Sequence, residues 1–392
     1  MKYYAGDIAH GTGMLNLKNI VDAVNTINSI VNQNQPDKKK EEPKEEPKEE
    51  PPKHDRSAGR PGPAPSNTQK PVFTTSGAFT PSLDMNRYWR FNYGLLGPQD
   101  RVIYEKMEQA MLAEKPEIII TCHREPTIKY LMSILIAVIE DNWALFYVEN
   151  SLNIATRGNE AKIMFVYNKF MKDRNGYAKK MEAVAKKVFE TRVKDCKTRY
   201  SAELAIHDYL VETVKYDNTD TVSSHSPVGP LLTGKGVCEG IAEAFGFLCC
   251  ACGVKVAMVS GTLNKEGHRW NVIELAGKRY HVDVTADLGG LHSYFNCDDG
   301  FMRQTHGFDR KTECTDDQYN FYTVNKSRFK TVKDSEPYIR DRLSKNIDSF
   351  EFLIEEKTDV KQILEAVKRN MKKSGSINAA TSNNGCFRVI IK

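Results

Sequence analysis

The chain has 392 residues, of which 40% are hydrophobic, so it is long enough for two domains and a sizeable core. Its 56 basic and 51 acidic residues are spread along the chain and leave a net charge of +5, which does not favour nucleic acid as a partner. No apolar run reaches the ~18 residues that a membrane span needs, and the first residues lack a signal-peptide core, so we expect a cytoplasmic protein with reduced cysteines.

The first 82 residues are predicted to consist of a short helix and a linker. Within residues 1–35, apolar side chains recur at helical spacing from Leu17 to Val31. Residues 36–82 include three copies of Lys-Glu-Glu-Pro between Lys40 and Pro51, and proline at every fourth position prevents a stable helix. This stretch is therefore predicted to be a disordered linker. The helix before it indicates either a protein partner or a contact with its own chain.

Residues 83–215 are predicted to form a helical accessory region. Apolar residues follow a helical period over Val102–Glu114, Thr127–Asp141 and Ala178–Phe189. A fourth helix is predicted to begin near Ser201, whose hydroxyl is suited to capping a helix N-terminus.

The pattern changes to short strands from residue 254. Two alternating runs, 268–275 and 279–286, flank Ala276-Gly277, which predicts an antiparallel hairpin. Helices followed by an antiparallel sheet indicate an α+β fold, with residues 216–330 as its core. Residues 331–392 form a C-terminal extension with a predicted helix over 360–371 and a final strand, and the sequence assigns it no function.

Cys238 is a candidate nucleophile at the point where a glycine-rich loop becomes a helix. Gly234 and Gly236 precede it, and apolar residues at helical spacing follow it. A thiol at a helix N-terminus lies near the positive end of the helix dipole, which favours the thiolate. The alternative is a buried structural cysteine.

The predicted hairpin supplies a base and a residue to orient it. With a two-residue turn, Trp270 faces Asp283, and His268 lies diagonally from Asp283 on the same face of the sheet. Asp283 can then orient His268 while the other ring nitrogen meets a thiol. His281 remains a rival base, because it shares a face and a strand with Asp283.

These motifs resemble the transglutaminase-like superfamily, which has a papain-like cysteine-protease fold. The resemblance rests on Cys238-Glu239-Gly240, on His268-Arg269-Trp270-Asn271 and on the segment 280–285, and it extends over about residues 95 to 325. It is closest to the bacterial branch, in which helices precede the core. The resemblance implies a helix bearing Cys238 packed on an antiparallel sheet bearing His268 and Asp283, with these residues acting as nucleophile, base and orienter.

Three further residues are predicted to bind the substrate. Papain-like proteases place an oxyanion glutamine six residues before the nucleophile, where this chain has Leu232. The Cys238 backbone N–H therefore needs a second donor, for which we consider His225 and Ser226. Trp270 is interpreted as a wall of the acyl pocket, with a core aromatic as the alternative.

No cofactor or metal is predicted. Several cysteines and histidines lie between residues 249 and 314, and Cys249 and Cys252 have the CxxC spacing found in zinc sites, but no second ligand pair accompanies them. The chain also lacks the glycine-rich motifs that bind nucleotide phosphates.

The predicted activity is acyl transfer on protein or peptide amides through a thioester intermediate. Hydrolysis by a peptidase or deamidase ranks first, and protein-glutamine crosslinking is the second outcome of the same chemistry. The alternative from another class is a catalytically silent binding or scaffold module that keeps the fold.

Overall fold

The computed structural model describes residues 79–308, 312–371, 375–382 and 384–391. The predicted N-terminal helix and nearly all of the predicted linker lie outside these residues. The described chain combines helices with antiparallel sheets, which confirms the α+β fold class. Among the described residues, no helix combines the length and apolar character needed to cross a membrane.

Four helices of more than ten residues lie in the described chain before the core, close to the four predicted helical patterns. They are α1 (Pro98–Leu112), α2 (Ile128–Asp141), α3 (Arg174–Val188) and α4 (Arg199–Thr213). The predicted cap of α4 is wrong. Thr198 caps the helix by accepting a hydrogen bond from the Ser201 backbone at 3.0 Å, and Ser201 completes a capping box from the third helical position.

The accessory region also contains a sheet that the mainly helical interpretation does not include. Its strands are β1 (Glu117–Thr121), β2 (Val148–Arg157) and β3 (Glu160–Tyr167), paired antiparallel in the order β1-β3-β2. In β3, buried residues alternate at Ala161, Ile163 and Phe165, which is the period of a strand with one face in the core.

The central layer packs one helix on a five-stranded antiparallel sheet. The helix is α5 (Cys238–Ala251), and the strands are β4 (Lys255–Leu263), β5 (Glu266–Leu275), β6 (Lys278–Val282), β7 (Phe295–Cys297) and β8 (His306–Gly307). Their order is β8-β4-β5-β6-β7. Helix α5 contacts β4 and β5, and its Ile241, Phe245 and Leu248 are buried in the same core as α1 to α4.

The hairpin between β5 and β6 has the predicted two-residue turn. Leu275 pairs with Lys278, and Ala276 and Gly277 have φ values of 51° and 78°. Two positive φ values are typical of the tight turn that matches the twist of the flanking strands. The pairing of Asn271 with Val282 places Trp270 opposite Asp283, as expected.

The C-terminal extension, together with residues 328–329 of the predicted core, forms its own small layer. Helices α6 (Val332–Ser344) and α7 (Val360–Asn370) accompany strands β9 (Arg328–Phe329), β10 (Ser349–Ile354), β11 (Ile377–Thr381) and β12 (Cys386–Ile391). The sheet order is β9-β10-β12-β11, and its core is separate from the central one. The predicted helix and final strand of this extension are confirmed. Short helices at Phe91–Leu95, Asp299–Met302 and Phe321–Val324 lie between the main elements.

Candidate active site

Cys238 is the first residue of α5, at a tightly packed helix start. Val237 before it is extended, and no side chain caps the helix. Gly240 lies against the preceding loop so closely that a Cβ there would be 2.3 Å from the Ser224 carbonyl oxygen. Glycine at this position is therefore needed for the helix start to pack on the loop. The Cys238 side chain is buried, with 7% of the residue exposed.

His268 and Asp283 form the predicted pair on the hairpin. The His268 Nε2 atom lies 2.7 Å from Asp283 Oδ2, and the other carboxylate oxygen accepts the Ala286 backbone N–H at 3.1 Å. Because Nε2 is engaged with Asp283, Nδ1 is the ring nitrogen available to Cys238, and the ring hydrogen-bonds with that thiol. The structure thus brings Cys238, His268 and Asp283 together.

The electrostatics of the pair favour a charged imidazole. Burial by itself lowers the pKa of His268, but the charge and hydrogen bond of Asp283, together with Cys238, raise it to about 10. Burial opposes ionisation of Asp283, yet the charge and hydrogen bonds of the neighbouring histidines hold the pKa of this carboxyl well below its usual value. His268 is therefore charged at neutral pH beside an ionised Asp283.

Tyr216 lies at the mouth of the site, and the sequence reasoning missed it. A two-residue parallel bridge pairs Tyr216 with Gly236, two residues before the cysteine. The Tyr216 hydroxyl accepts a hydrogen bond from the Cys238 backbone N–H, and the residue is 48% exposed. A bridge this short has no periodic signal in the sequence, so only the fold reveals the contact.

Of the two predicted oxyanion donors, His225 has carboxylate partners at both ring nitrogens, while Ser226 accepts a backbone N–H and keeps its own O–H. His225 Nδ1 lies 2.8 Å from Glu239 Oε2, and its Nε2 contacts the Asp220 carboxylate. The Ser226 hydroxyl accepts the Val228 backbone N–H at 3.1 Å. For His225 to serve an oxyanion, it would have to give up one of its carboxylate partners.

A buried ion pair joins the sheet to the start of α5. Arg269 Nη1 lies 2.5 Å from Glu239 Oε1, and both residues are at most 5% exposed. Asn271 on the same face of β5 donates to the Ala242 carbonyl at 3.1 Å. These contacts tie the strand that carries His268 to the helix that begins at Cys238. The signal for this pair is a charged residue within a strand that is buried on both faces, since such a residue needs a partner.

Trp270 lies beneath His268 in the core, with 1% of the residue exposed. Its ring is stacked on that of His268 at a centroid distance of 5.9 Å, and its Nε1–H donates to His281 Nδ1 at 3.0 Å. The Nε2 atom of His281 lies 2.8 Å from Asp299 Oδ1. The rival base is thus held by Trp270 and Asp299.

Three groups of side chains in the described part of the chain have ligand atoms close enough for a metal ion. They are His207 with Asp208 and His292, His268 with Asp283 and His306, and His281 with Asp299 and Cys314. In the last group, the Trp270 N–H makes Nδ1 of His281 an acceptor, so Nε2 carries the proton that a metal would have to displace. All nine cysteines are free thiols.

Comparisons with known proteins place this segment in a family. Residues 183–286, which include the three candidate residues, match the model of the transglutaminase-like superfamily. No protein of curated function matches the chain.

Three solved structures show a partial likeness. A candidate cysteine protease from Cytophaga hutchinsonii is 16% identical, with a TM-score of 0.24 over 33% of this chain and 55% of that protein. A protein called a TGase is 14% identical, with a TM-score of 0.24 over 34% of this chain and 43% of the other. A candidate protease from Parabacteroides distasonis is 9% identical, with a TM-score of 0.22 over 34% and 35% of the two chains.

The matches thus cover about half or less of each solved structure. The family match covers α4, α5 and the β4–β6 sheet, and it agrees with the motifs around Cys238, His268 and Asp283. Residues 183–286 of this chain are therefore similar to the transglutaminase-like superfamily.

Proposed function

We propose that the protein is a cysteine-dependent acyltransferase that acts on protein or peptide amides, with hydrolysis as its main reaction. The Cys238 thiolate attacks the carbonyl carbon of a peptide bond or a glutamine carboxamide. His268 then gives its proton to the leaving amine as the C–N bond breaks, and a thioester remains on Cys238. His268, now neutral, takes a proton from a water molecule as the water oxygen attacks the thioester carbon; the C–S bond breaks, the acid product leaves, and the Cys238 thiolate and charged His268 are restored. Asp283 orients His268 and stabilises its charged form.

The observation that carries this proposal is the His268 ring held between Cys238 and Asp283. The 2.7 Å bond to Asp283 fixes one ring nitrogen, so the second nitrogen is directed to the thiol. The raised pKa of His268 keeps the ring charged at neutral pH, which is the state that donates a proton to the leaving group.

The oxyanion of the intermediate would bind at the Cys238 backbone N–H. In the free protein the Tyr216 hydroxyl accepts that N–H, so an incoming carbonyl oxygen takes its place. The displaced hydroxyl then lies beside the oxyanion and can donate its own proton to it. We therefore propose Tyr216 as the second donor in place of His225 and Ser226.

The first test is the alkylation of Cys238 by iodoacetamide between pH 5 and 9, measured by peptide mass spectrometry on the full chain. We expect Cys238 to react at pH 6 at least about tenfold faster than any other cysteine, because a neighbouring imidazolium favours the thiolate. His268→Ala should remove most of this advantage. The matched control is His123→Ala, which changes a histidine in the accessory region.

The second test asks which acceptor resolves the thioester. Cleavage of denatured casein, release of ammonia from it and incorporation of dansylcadaverine report peptidase, deamidase and crosslinking activity, and each should be absent in Cys238→Ala. The alkylation test decides the proposal. The proposal fails if Cys238 is alkylated no faster than the other thiols and if His268→Ala does not change its rate. The binding-module alternative would then take its place.

A further inference from the structure

His306 is a second histidine on the candidate triad's carboxylate, and the proposed reaction does not yet use it. It lies in β8, at the edge of the central sheet, where it pairs with Leu263 of β4. Its Nε2 atom is 3.0 Å from Asp283 Oδ2, the same oxygen that contacts His268 Nε2 at 2.7 Å. The residue is 3% exposed, so water does not compete for this bond.

A chain of hydrogen bonds holds the other side of the His306 ring. Nδ1 lies 3.0 Å from the Thr305 hydroxyl, which lies 3.1 Å from the Tyr294 hydroxyl. Because Asp283 can only accept, Nε2 of His306 carries a proton and donates it to the carboxylate. Nδ1 can then accept from Thr305, and Thr305 can accept from Tyr294. These contacts therefore hold the orientation of the His306 ring, with the Nε2–H directed at Asp283.

We infer that His306 is a positioning residue for the reaction proposed above, acting on His268 through their shared carboxylate oxygen. The inference rests on the proposed function and adds a residue to it. The hydrogen bond from His306 holds Asp283 in the orientation that His268 needs. It also takes up part of the carboxylate's charge, so that His268 does not bind its proton too tightly to release it to a leaving amine.

Among the residues that the structure describes, few other charged or titratable groups face these two rings. Asp283 and Cys238 face His268. Around His306 lie Asp283, the Tyr294 ring at 5.1 Å and the His268 ring at 5.6 Å, with His281 beyond them. Trp270 covers the ring edge-on at 5.0 Å. A change at His306 should therefore reach His268 mainly through Asp283.

The test measures the alkylation of Cys238 by iodoacetate from pH 5 to 11 in the full chain. Iodoacetate is an anion, so the imidazolium of His268 attracts it, and the rate falls at alkaline pH when His268 loses its proton. The variants are His306→Ala, His306→Gln and Thr305→Val. Gln can still donate an N–H to Asp283, whereas Ala cannot, and Val removes only the hydroxyl that holds Nδ1.

The alkaline limb is the part of the pH profile in which the alkylation rate falls. In His306→Ala we expect this limb to move to higher pH by roughly 0.5 to 1 pH unit, because the charge and hydrogen bond of Asp283 then act on His268 alone. The plateau rate should fall several-fold. His306→Gln should restore the position of the limb, and Thr305→Val should move it in the same direction as Ala, but less. A purely structural role would lower thermal stability without moving the limb.

The inference is overturned if folded His306→Ala and folded Thr305→Val both lose their alkylation rate at the same alkaline pH as the wild type. If His306→Ala does not fold, the result for Thr305→Val decides by itself. Failure of the proposed function would look different. In that case wild-type Cys238 itself would show no enhanced rate and no alkaline limb.

Discussion

The Asp283 carboxylate accepts three hydrogen bonds inside the protein, one from the Ala286 backbone and two from histidine rings. Each donor favours the ionised carboxylate, and together they outweigh the burial that opposes it. Arg269 and Glu239 follow the same logic, since the neighbouring guanidinium lowers the pKa of a fully buried carboxyl. At this scale the site depends on charges that are stable only because their partners are in place.

Tyr216→Phe tests the proposed oxyanion donor. The change removes a hydroxyl that contacts the Cys238 backbone N–H, while it keeps the ring. We expect kcat on denatured casein to fall by about tenfold to a hundredfold with little change in KM, because a donor to the oxyanion acts only in the transition state.

Tyr177→Phe is the matched control, because Tyr177 lies on α3 in the accessory region. An unchanged or increased kcat in Tyr216→Phe would contradict the assignment. It would indicate that the hydroxyl only occupies the N–H in the free protein and has no part in the reaction.

The sequence predicts some of these residues and not others, for physical reasons. Cys238, His268 and Asp283 belong to local patterns, a helix start and a hairpin with a two-residue turn, so the distances between them follow from regular geometry. Tyr216 and His306 reach the site through short bridges of two residues each. Such bridges depend on tertiary packing and leave no periodic pattern to read.

At the scale of elements, the β5–β6 hairpin sets the register of the site. Its turn places Ala276 at a φ of 51°, where a side chain with a Cβ is strained. Gly277 follows at 78°, where glycine is not strained. The turn therefore has the length that sets the register, but alanine is an unfavourable residue at its first position.

Ala276→Asn should stabilise the protein by about 0.5–1 kcal/mol, because asparagine tolerates the left-handed conformation and Asn-Gly is favoured in this turn. Ala276 is exposed, so the larger side chain meets no packing constraint. Urea denaturation would measure the gain, and the alkylation rate of Cys238 should not change.

Gly277→Ala is the opposite control in the same turn. It adds a Cβ at a positive φ and should destabilise by about 1 kcal/mol. If both substitutions change the free energy of unfolding in the same direction, backbone strain does not explain the effect.

Helix boundaries and the accessory sheet mark the limits of prediction at this scale. Thr198 and Ser201 are both good capping residues three positions apart, and local chemistry cannot choose between them. The helix starts at the earlier one, which places Tyr200 in the core. Strands β1 to β3 lie between strong helical patterns, so their alternation was missed.

At the scale of the whole molecule, His292 connects the central layer to the C-terminal extension. Its Nε2 lies 2.9 Å from Asp208 on α4, and its Nδ1 lies 3.1 Å from Glu351 on β10. The ring stacks on Phe321 at 3.8 Å. Burial lowers the pKa of His292, but the two carboxylates outweigh it and raise the pKa to about 9.

This connection should make stability depend on pH. The folded-state pKa lies above the unfolded value of about 6.5, so the contribution of His292 is complete below pH 6.5 and is lost as pH rises to about 9. We expect the free energy of unfolding to fall by about 1–3 kcal/mol over this range from His292 alone. Urea denaturation at pH 6 and at pH 9.5 would measure it.

His292→Phe is the control, because phenylalanine can stack on Phe321 and does not titrate. His225 and His268 also have raised pKa values and lose protons at alkaline pH, so both proteins should lose some stability. The wild type should lose more. Equal losses would show that the contacts of His292 with Asp208 and Glu351 do not stabilise the fold.

The two-residue turn also restricts how this chain can change in length. His268 and Asp283 are 15 positions apart, and nearly all of that interval is paired strand. A single inserted or deleted residue within it would turn Asp283 to the opposite face of the sheet. Relatives that keep the same chemistry should therefore conserve this interval or compensate with a bulge. Insertions should be found instead in the loop between Asp283 and Phe295.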